Sequence, residues 1–421
     1  MPTPSVSLTT LDAVVEEVLA STTFVDMHTH LFAPHFGPLG LWGIDDLLTY
    51  HYLEAELFRF SGVPPDQYWE LTKTARADLI WRTLFVENTP LSEATRGVVA
   101  VLHGLGLDTG AADLKSIRQF FQAQDFSTHL SRVFELAGVR SVVMTNDPLD
   151  PAEAAVWEQG IAPDPRFQAA LRLDRILNDW KAHAPALAAQ GFAVEADTGG
   201  NTLAELQRFL VRWCDRAKPV YMAVSLPDTF AFPASDVRHK ILTGAVLPVC
   251  RERKIPLALM VGVRRQVNPK LRLAGDGSGQ ADLRAIDALC RDFPENRFLA
   301  TVLSRENQHE LCIAARKFSN LLPFGCWWFL NNPSVVEEIT RERLEMLGAS
   351  FIPQHSDARI LEQLIYKWRN TRRTIAPILA QVYQLLIEDG RAVSRETIER
   401  DVERLFRGNF ERWAGVSGNG A

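Results

Sequence analysis

The sequence has few cysteines, and they are not arranged as a disulfide framework or a paired metal-binding motif would require. The five are an odd number at wide, irregular spacings without any C-x-x-C pair, namely Cys214, Cys250, Cys290, Cys312 and Cys326. This distribution is typical of a reducing compartment, where unpaired cysteines mostly serve as small buried hydrophobic residues. We therefore expect five buried thiols and a cytoplasmic protein.

The chain also lacks the features of an exported, membrane-bound or nucleic-acid-binding protein. Residues 1–20 contain no basic segment followed by a long apolar run, and the most apolar stretch, Ile255–Val263, is about half as long as a membrane-spanning helix. Lysine and arginine are scattered, and the formal net charge is only -6. We expect a soluble protein that binds a small molecule, not nucleic acid or a membrane, with homo-oligomer formation left open.

What the sequence does contain is a repeated alternation of short apolar runs with longer segments of helical periodicity. This alternation is typical of buried parallel strands joined by helices, and eight such strands close a barrel. The sequence therefore predicts an α/β protein with a (β/α)8 TIM barrel, with residues 1–421 forming a single domain. The eight candidate strands are Thr23–Met27, Arg140–Thr145, Phe167–Leu173, Val220–Ser225, Pro256–Gly262, Phe298–Leu303, Leu322–Trp328 and Ser350–Gln354.

Two long segments lie outside this alternation. Residues 360–413 have amphipathic helical patterns and are expected to pack outside the barrel, and the glycine-rich residues 415–421 predict a frayed tail. Residues 32–139 look helical throughout, and an insertion after the first strand is expected to cover the active face. Its predicted helices are Ile44–Phe60, Pro65–Val86, Ser92–Leu105, Leu114–Gln122 and Ser127–Ala137.

A pair of histidines follows the first predicted strand. Residues two apart on an extended segment point to the same side, so the imidazoles of His28 and His30 can face one metal ion. Asp357 follows the eighth predicted strand, which lies beside the first strand in a closed barrel, and a carboxylate is a common third ligand. The alternatives are a chance H-x-H pair and an aspartate that caps the next helix.

Arginine and aromatic residues gather at other predicted strand ends. Arg359 offers a planar fork to a carboxylate, and further arginines follow the third and fifth strands at Arg172, Arg264 and Arg265. Several arginines at the active face of an acidic protein predict an anionic small substrate. His35 lies close to the histidine pair and is a further candidate for the pocket. The alternative for each is a solvated or structural side chain.

These motifs, in this order, resemble those of the uronate isomerases (glucuronate isomerases), mononuclear members of the amidohydrolase superfamily. The likeness runs over most of the chain, and its order and spacing are more specific than any one motif. The matching segments are His28-x-His30-Leu31, His51-Tyr52, Thr145-Asn146-Asp147-Pro148, Arg172-x-Asp174, Gly275-Asp276-Gly277, Gly325-Cys326-Trp327-Trp328-Phe329, Leu347-Gly348 and Ser356-Asp357-Ala358-Arg359.

The resemblance implies one divalent metal ion, with zinc expected, held by His28, His30 and Asp357. It also implies that an open-chain aldehyde uronate is interconverted with its 2-ketose, while the metal polarises the oxygens on C1 and C2. Asp357, Tyr52 and Arg359 are the implied catalytic residues. The resemblance implies that His51, Arg172 and Trp328 bind the substrate. Their position suggests Arg264 and His35 as further substrate-binding residues.

Two segments depart from the family pattern. Met260 stands where the family has a histidine at the end of strand five, and a thioether neither donates a strong hydrogen bond nor binds zinc well. Residues 225–228 replace an Asp-His pair. Two alternatives are therefore kept. One is a metal-dependent hydrolase of the same superfamily acting on an anionic small molecule, for which His309 is a poor substitute for the usual strand-six ligand. The other is a non-catalytic sugar-acid binder.

Overall fold

The computed structural model describes residues 5–162 and 164–416, so residues 417–421 of the predicted tail lie outside it. Within these residues, seven parallel strands follow one another around the barrel in chain order, and the two-residue strand β6 pairs antiparallel with β5. The parallel strands are buried along most of their length, as continuous apolar runs require. The strands are β1 (Phe24–Thr29), β2 (Val139–Asn146), β3 (Phe167–Arg172), β4 (Met222–Pro227), β5 (Leu257–Arg264), β6 (Gly277–Ser278), β7 (Phe298–Val302) and β8 (Leu321–Pro323).

The segment that follows the helix after β8 closes the barrel. Its backbone pairs with β8 only around Ile352, which donates to Pro323 O at 3.0 Å and accepts from Gly325 N at 2.8 Å. On the other side, Asp357 N donates to the carbonyl oxygen of His28 at 3.2 Å. The predicted strand Ser350–Gln354 is therefore reduced to a single bridge, because Pro353 has no N–H to extend a ladder. The predicted (β/α)8 fold is confirmed.

Helices surround the barrel, and side chains cap several of them as their sequences indicate. Ser92 accepts a hydrogen bond from Thr95 N at the start of one helix, and Asp125 accepts one from Thr128 N at another. Between β1 and β2 lie α2 (Ile44–Leu48), α3 (His51–Phe60), α4 (Pro65–Glu70), α5 (Lys73–Trp81), α6 (Glu93–Leu105), α7 (Lys115–Gln122) and α8 (Phe126–Ala137). The others are α1 (Leu11–Ser21), α9 (Pro151–Glu158), α10 (Asp174–Asn178), α11 (Trp180–Ala188), α12 (Thr202–Ala217), α13 (Val237–Ile241), α14 (Leu247–Arg253), α15 (Arg284–Asp292), α16 (Gln308–Lys317), α17 (Pro333–Leu347), α18 (Gln363–Glu388), α19 (Arg395–Glu403) and α20 (Asn409–Ala414).

The helix predicted over residues 44–60 is broken in the structure. Tyr50 adopts an extended conformation, with a ψ of 140°, and α3 begins immediately after it. His51 and Tyr52 are the first two residues of α3. Periodicity alone did not reveal the break, because apolar residues continue through it.

The C-terminal helices occupy two different environments. The long helix α18 packs against α1, α6, α8 and α17, on the outside of the barrel. In α20, by contrast, Phe410 is buried in the same cluster as Val25, Tyr221 and Leu299, which line the barrel near the amino ends of its strands. The same cluster contains the small side chains of Ala170, Ala223 and Ala258. The expectation that residues 360–413 all pack outside the barrel was therefore wrong for α20.

Two other sequence-based expectations concern single features of the chain. All five cysteines lie in the described part, and each is free and buried, as predicted. No helix of the described ranges combines the length and apolar character needed to cross a bilayer.

Asp26 on β1 joins the closing segment to α18 through a buried carboxylate. Its Oδ1 accepts a hydrogen bond from Ser356 N at 3.0 Å, and its Oδ2 accepts one from Trp368 Nε1 at 2.9 Å. Burial raises the pKa of Asp26 to about 6, although both hydrogen bonds favour the charged form. The folded protein therefore holds a proton on Asp26 at pH values where an exposed aspartate has lost it.

We expect Asp26 to make stability fall as the pH rises. Its folded pKa lies above that of an unfolded aspartate, so its contribution is fully present below about pH 4 and is lost as the pH passes 6. The variant Asp26→Asn lacks this titration. The unfolding free energy of the wild type minus that of the variant should decrease by about 2 kcal/mol between pH 4 and pH 7. Urea unfolding measures it, and a difference independent of pH contradicts the assignment.

Candidate active site

Three potential metal ligands meet where the barrel closes. His28 is the fifth residue of β1, His30 follows that strand, and Asp357 lies on the closing segment beside it. Asp357 Oδ1 lies 3.7 Å from His28 Nε2 and 3.3 Å from His30 Nε2. One ligand atom from each residue lies within 4.8 Å of the others, so the three form a possible metal site.

The charges of these groups follow from their burial. Burial lowers the pKa of His30 to about 4 and holds the pKa of His28 well below its usual value, so both imidazoles are neutral at neutral pH. Burial opposes ionisation of Asp357, but the neighbouring imidazoles, that of His30 foremost, outweigh this effect and lower the pKa of the carboxyl. Two neutral nitrogens and one carboxylate therefore face one another.

The donor set fits a divalent cation. Among the described residues, Asp357 Oδ1 is buried and has no hydrogen-bond donor, an arrangement that costs about 1–3 kcal/mol for an ordinary polar atom and more for a charged one. Asp357 also adopts a φ of +54°, which disfavours a non-glycine residue. A cation among the three acceptors would remove the electrostatic cost, and two imidazoles with one carboxylate are a common catalytic zinc set.

A second group of side chains comes from the start of α3 and the turn after β8. The His51 ring packs edge-on at 5.9 Å from the Trp328 ring and at 4.6 Å from the Tyr52 ring. In the described part of the chain, His51 Nε2 and Trp328 Nε1 are buried and have no hydrogen-bond partner. Trp328 has a φ of +51°, another strained backbone position beside this group. The free polar atoms are therefore available to a ligand.

Burial also determines the protonation of the residues on α3. It lowers the pKa of His51 to about 3, and the charge of Arg359 adds to this effect. Burial, the neighbouring Tyr50 and the charge of Asp357 all raise the pKa of Tyr52, which lies well above its usual value. At neutral pH His51 is therefore a neutral imidazole, and Tyr52 is a protonated phenol with a proton available to donate.

The arginines predicted at strand ends differ in their availability. Arg172 donates through Nε and Nη2 to Asp174 Oδ2, at 2.8 and 2.5 Å. The side chain of Arg359 has no hydrogen-bond or ion-pair partner within residues 5–162 and 164–416, and its charge acts on both His30 and His51. Arg359 is therefore the arginine beside the histidines whose fork is free for an anion.

The two arginines at the end of β5 lie in different surroundings. Arg264 is exposed, and its Nε lies 3.9 Å from Asp228 Oδ2. Arg265, which is not among the predicted substrate-binding residues, lies with its guanidinium 5.7 Å from the centre of the Trp328 ring. Gly262, with a φ of +121°, interrupts the regular alternation of β5 and changes which residue faces the site. The glycine within the predicted strand was the sequence signal for this irregularity.

Two further histidines lie in different surroundings. His35 packs against Phe36 at 4.6 Å, and the charge of Asp164 acts on it. No contact in the described part of the chain joins His35 to the three candidate ligands. His355 is fully buried with its ring 5.4 Å from that of His28, and neither of its nitrogens has a described partner.

Comparisons with models of protein families and with curated proteins found no match, whereas solved structures did match. A uronate isomerase from Bacillus halodurans is 48% identical, with a TM-score of 0.96 over 98% of this chain and 98% of that one. The chain belongs to the uronate isomerase family. A uronate isomerase from Thermotoga maritima, 13% identical with a TM-score of 0.78 over 98% of both chains, shares the fold. So does a glucuronate isomerase from Caulobacter crescentus, 14% identical, with a TM-score of 0.77 over 99% of this chain and 96% of that one.

Membership of the uronate isomerase family makes the chain an enzyme and confirms the resemblance inferred from its motifs. In this uronate isomerase family member, Met260 is buried in an apolar cluster with Trp327 and Trp328, so an apolar side chain suits its surroundings. His309 is exposed and pairs with Glu342. It therefore lies outside the group formed by His28, His30 and Asp357.

Proposed function

We propose that this enzyme interconverts an open-chain uronate of the glucuronate or galacturonate type with its 2-ketose. In the forward direction the hydrogen on C2 moves to C1 and the proton on O2 moves to O1, so that an aldehyde becomes a ketone. The observation that carries the proposal is the 48% identity, over 98% of the chain, to a protein named a uronate isomerase. The converging acceptors and the free Arg359 support it.

His28, His30 and Asp357 are the residues that we propose hold one divalent cation, which we expect to be zinc. When bound, such an ion would supply Lewis-acid polarisation of the oxygens on C1 and C2. Asp357 is ionised and lies beside that position, so we assign it to proton transfer. Tyr52 keeps its proton and is assigned to donate a hydrogen bond or a proton to a substrate oxygen.

The remaining site residues are proposed to bind the substrate. The free guanidinium of Arg359 matches the geometry of a carboxylate, and Arg172 contributes a second positive charge. His51 Nε2 and Trp328 Nε1 are unpaired and are assigned to the sugar hydroxyls. No role is proposed for Arg264 and His35, the two residues suggested by position alone. The guanidinium of Arg265 lies beside the Trp328 ring.

The organisation of the chain supports the same proposal. We propose one domain, with residues 32–139 covering the active face, because His51 and Tyr52 of this segment reach Trp328 and Phe329. A small sugar acid is the proposed partner, with no role for nucleic acid or membrane, and a homo-oligomer is compatible with it. The five free thiols support a cytoplasmic location.

Activity with a matched set of substrates tests the proposed reaction. Purified protein supplied with zinc is incubated with glucuronate, galacturonate and the neutral aldose glucose, and the products are followed by proton NMR. We expect a ketose from at least one uronate and little or none from glucose. Binding of a uronate without ketose formation would support the alternative of a non-catalytic binder.

Incubation with sugar-acid lactones and small amides tests the hydrolase alternative. A hydrolase releases an acid from these compounds, whereas the proposed isomerase leaves them unchanged. The exposed position of His309 favours the isomerase, because the usual hydrolase ligand set includes a histidine from strand six. Rapid acid release without ketose formation from uronates would overturn the proposed function.

A further inference from the structure

Tyr221 makes an unusual contact with the first candidate ligand. It precedes β4 near the amino end of the barrel, is fully buried, and packs against Phe410 of α20 with the ring centres 6.2 Å apart. Its hydroxyl lies 2.9 Å from His28 Nδ1 and donates to the carbonyl oxygen of Met27 at 2.7 Å. The Tyr221 side chain therefore extends from the amino end of the barrel, and its hydroxyl ends beside the imidazole of His28.

Thr145, near the end of β2, contacts the second candidate ligand in the same manner. Its Oγ1 lies 2.9 Å from His30 Nδ1 and donates to the carbonyl oxygen of Thr29 at 3.0 Å. Thr145 is buried. Each imidazole of the pair thus meets a hydroxyl, and each hydroxyl also meets the backbone carbonyl of the residue immediately before that histidine.

The hydrogen-bonding capacity of these groups determines which nitrogen carries the proton. A hydroxyl has one proton, and a carbonyl oxygen only accepts, so a hydroxyl that donates to the carbonyl must accept from the imidazole. The proton of each neutral ring then lies on Nδ1. Nε2 is left with a lone pair, and in both residues Nε2 is the nitrogen that faces Asp357 Oδ1.

We propose that Tyr221 and Thr145 are positioning residues that fix His28 and His30 in the Nδ1–H tautomer and so prepare both Nε2 atoms for a cation. The inference rests on the metal site of the proposed function and deepens it. Free imidazole exchanges between tautomers, and a ring protonated on Nε2 presents a hydrogen instead of a lone pair. Partners of metal-bound histidines typically contribute 10- to 100-fold in affinity.

Conservative variants that remove only the hydroxyls test the proposal. For Tyr221→Phe and for Thr145→Val we expect zinc to bind roughly 10- to 100-fold more weakly than to the wild type, measured by competition with a chromogenic chelator. The matched controls are Tyr383→Phe, which removes a buried hydroxyl bonded to Asp401, and Thr340→Val, which removes a buried hydroxyl without a described partner. Both controls should bind zinc as the wild type does.

Histidine-ring NMR of the metal-free protein separates positioning from general stability. With ring-labelled histidine, two rings of the wild type should show the Nδ1–H pattern, and each variant should lose it at one ring while circular dichroism stays unchanged. A wild type whose His28 and His30 rings carry the proton on Nε2 overturns the inference, and so do variants with unchanged zinc affinity. If the wild type shows the Nδ1–H pattern but binds no divalent cation, the proposed metal site fails and the tautomer assignment stands.

Discussion

The variant Asp357→Asn is expected to lose turnover of the uronate by at least roughly 1000-fold, because one change removes both a ligand and a proton-transfer group. Asparagine has nearly the same shape, so packing around the closing segment is retained. Its amide is neutral, however, and would place either an uncharged oxygen or an NH2 group opposite His28 and His30. The cation would lose the negative charge among its proposed ligands.

Metal content and turnover measured on the same preparation check this expectation. The variant should retain much less than one zinc per chain after dialysis, whereas the control Asp282→Asn, at an exposed residue paired with Arg284, should match the wild type in both measurements. Zinc retained at one per chain together with normal turnover would show that Asp357 is neither a ligand nor a catalytic group.

The strand order and the convergence of the three candidate ligands were both predictable from the sequence, because they follow from short-range patterns and from closure of the barrel. Buried parallel strands are continuous apolar runs, and most of the observed strands lie within two residues of the predicted ones. His28 and His30 are close in sequence, and Asp357 belongs to a segment that must neighbour β1 once eight strands close. The strand predicted over Leu322–Trp328 was too long, because Gly325 turns the chain with a φ of +61°.

The remaining features of the site depend on contacts between residues that are far apart in the sequence. Tyr221 lies 193 residues from His28, and no local pattern distinguishes its hydroxyl from that of any buried tyrosine at a strand start. Phe410 joins a cluster of barrel residues that are far from it in the sequence, such as Val25 and Leu299. Arg265, and not Arg264, lies beside Trp328, and the register of β5 shifts at Gly262, just before these two residues.

Arg359 provides the second large expected effect. In the variant Arg359→Met, kcat/KM for the uronate should fall roughly 100- to 1000-fold, since loss of a partly buried charged partner costs about 2–5 kcal/mol. The guanidinium is free to pair with the substrate carboxylate, whereas Arg172 is already engaged by Asp174. Methionine keeps much of the side-chain volume and removes the fork and the charge.

The effect must depend on the substrate carboxylate if Arg359 binds it. The ratio of kcat/KM for a uronate to kcat/KM for the corresponding neutral aldose should therefore fall in Arg359→Met. It should fall by nearly the same factor as kcat/KM for the uronate itself. The control Arg369→Met, at an exposed position on α18, should leave the preference unchanged. Equal losses for both substrates would place Arg359 in the reaction itself. Another outcome is that Arg172→Met lowers kcat/KM for the uronate alone while Arg359→Met has no effect. That result would show that Arg172, and not Arg359, binds the substrate carboxylate.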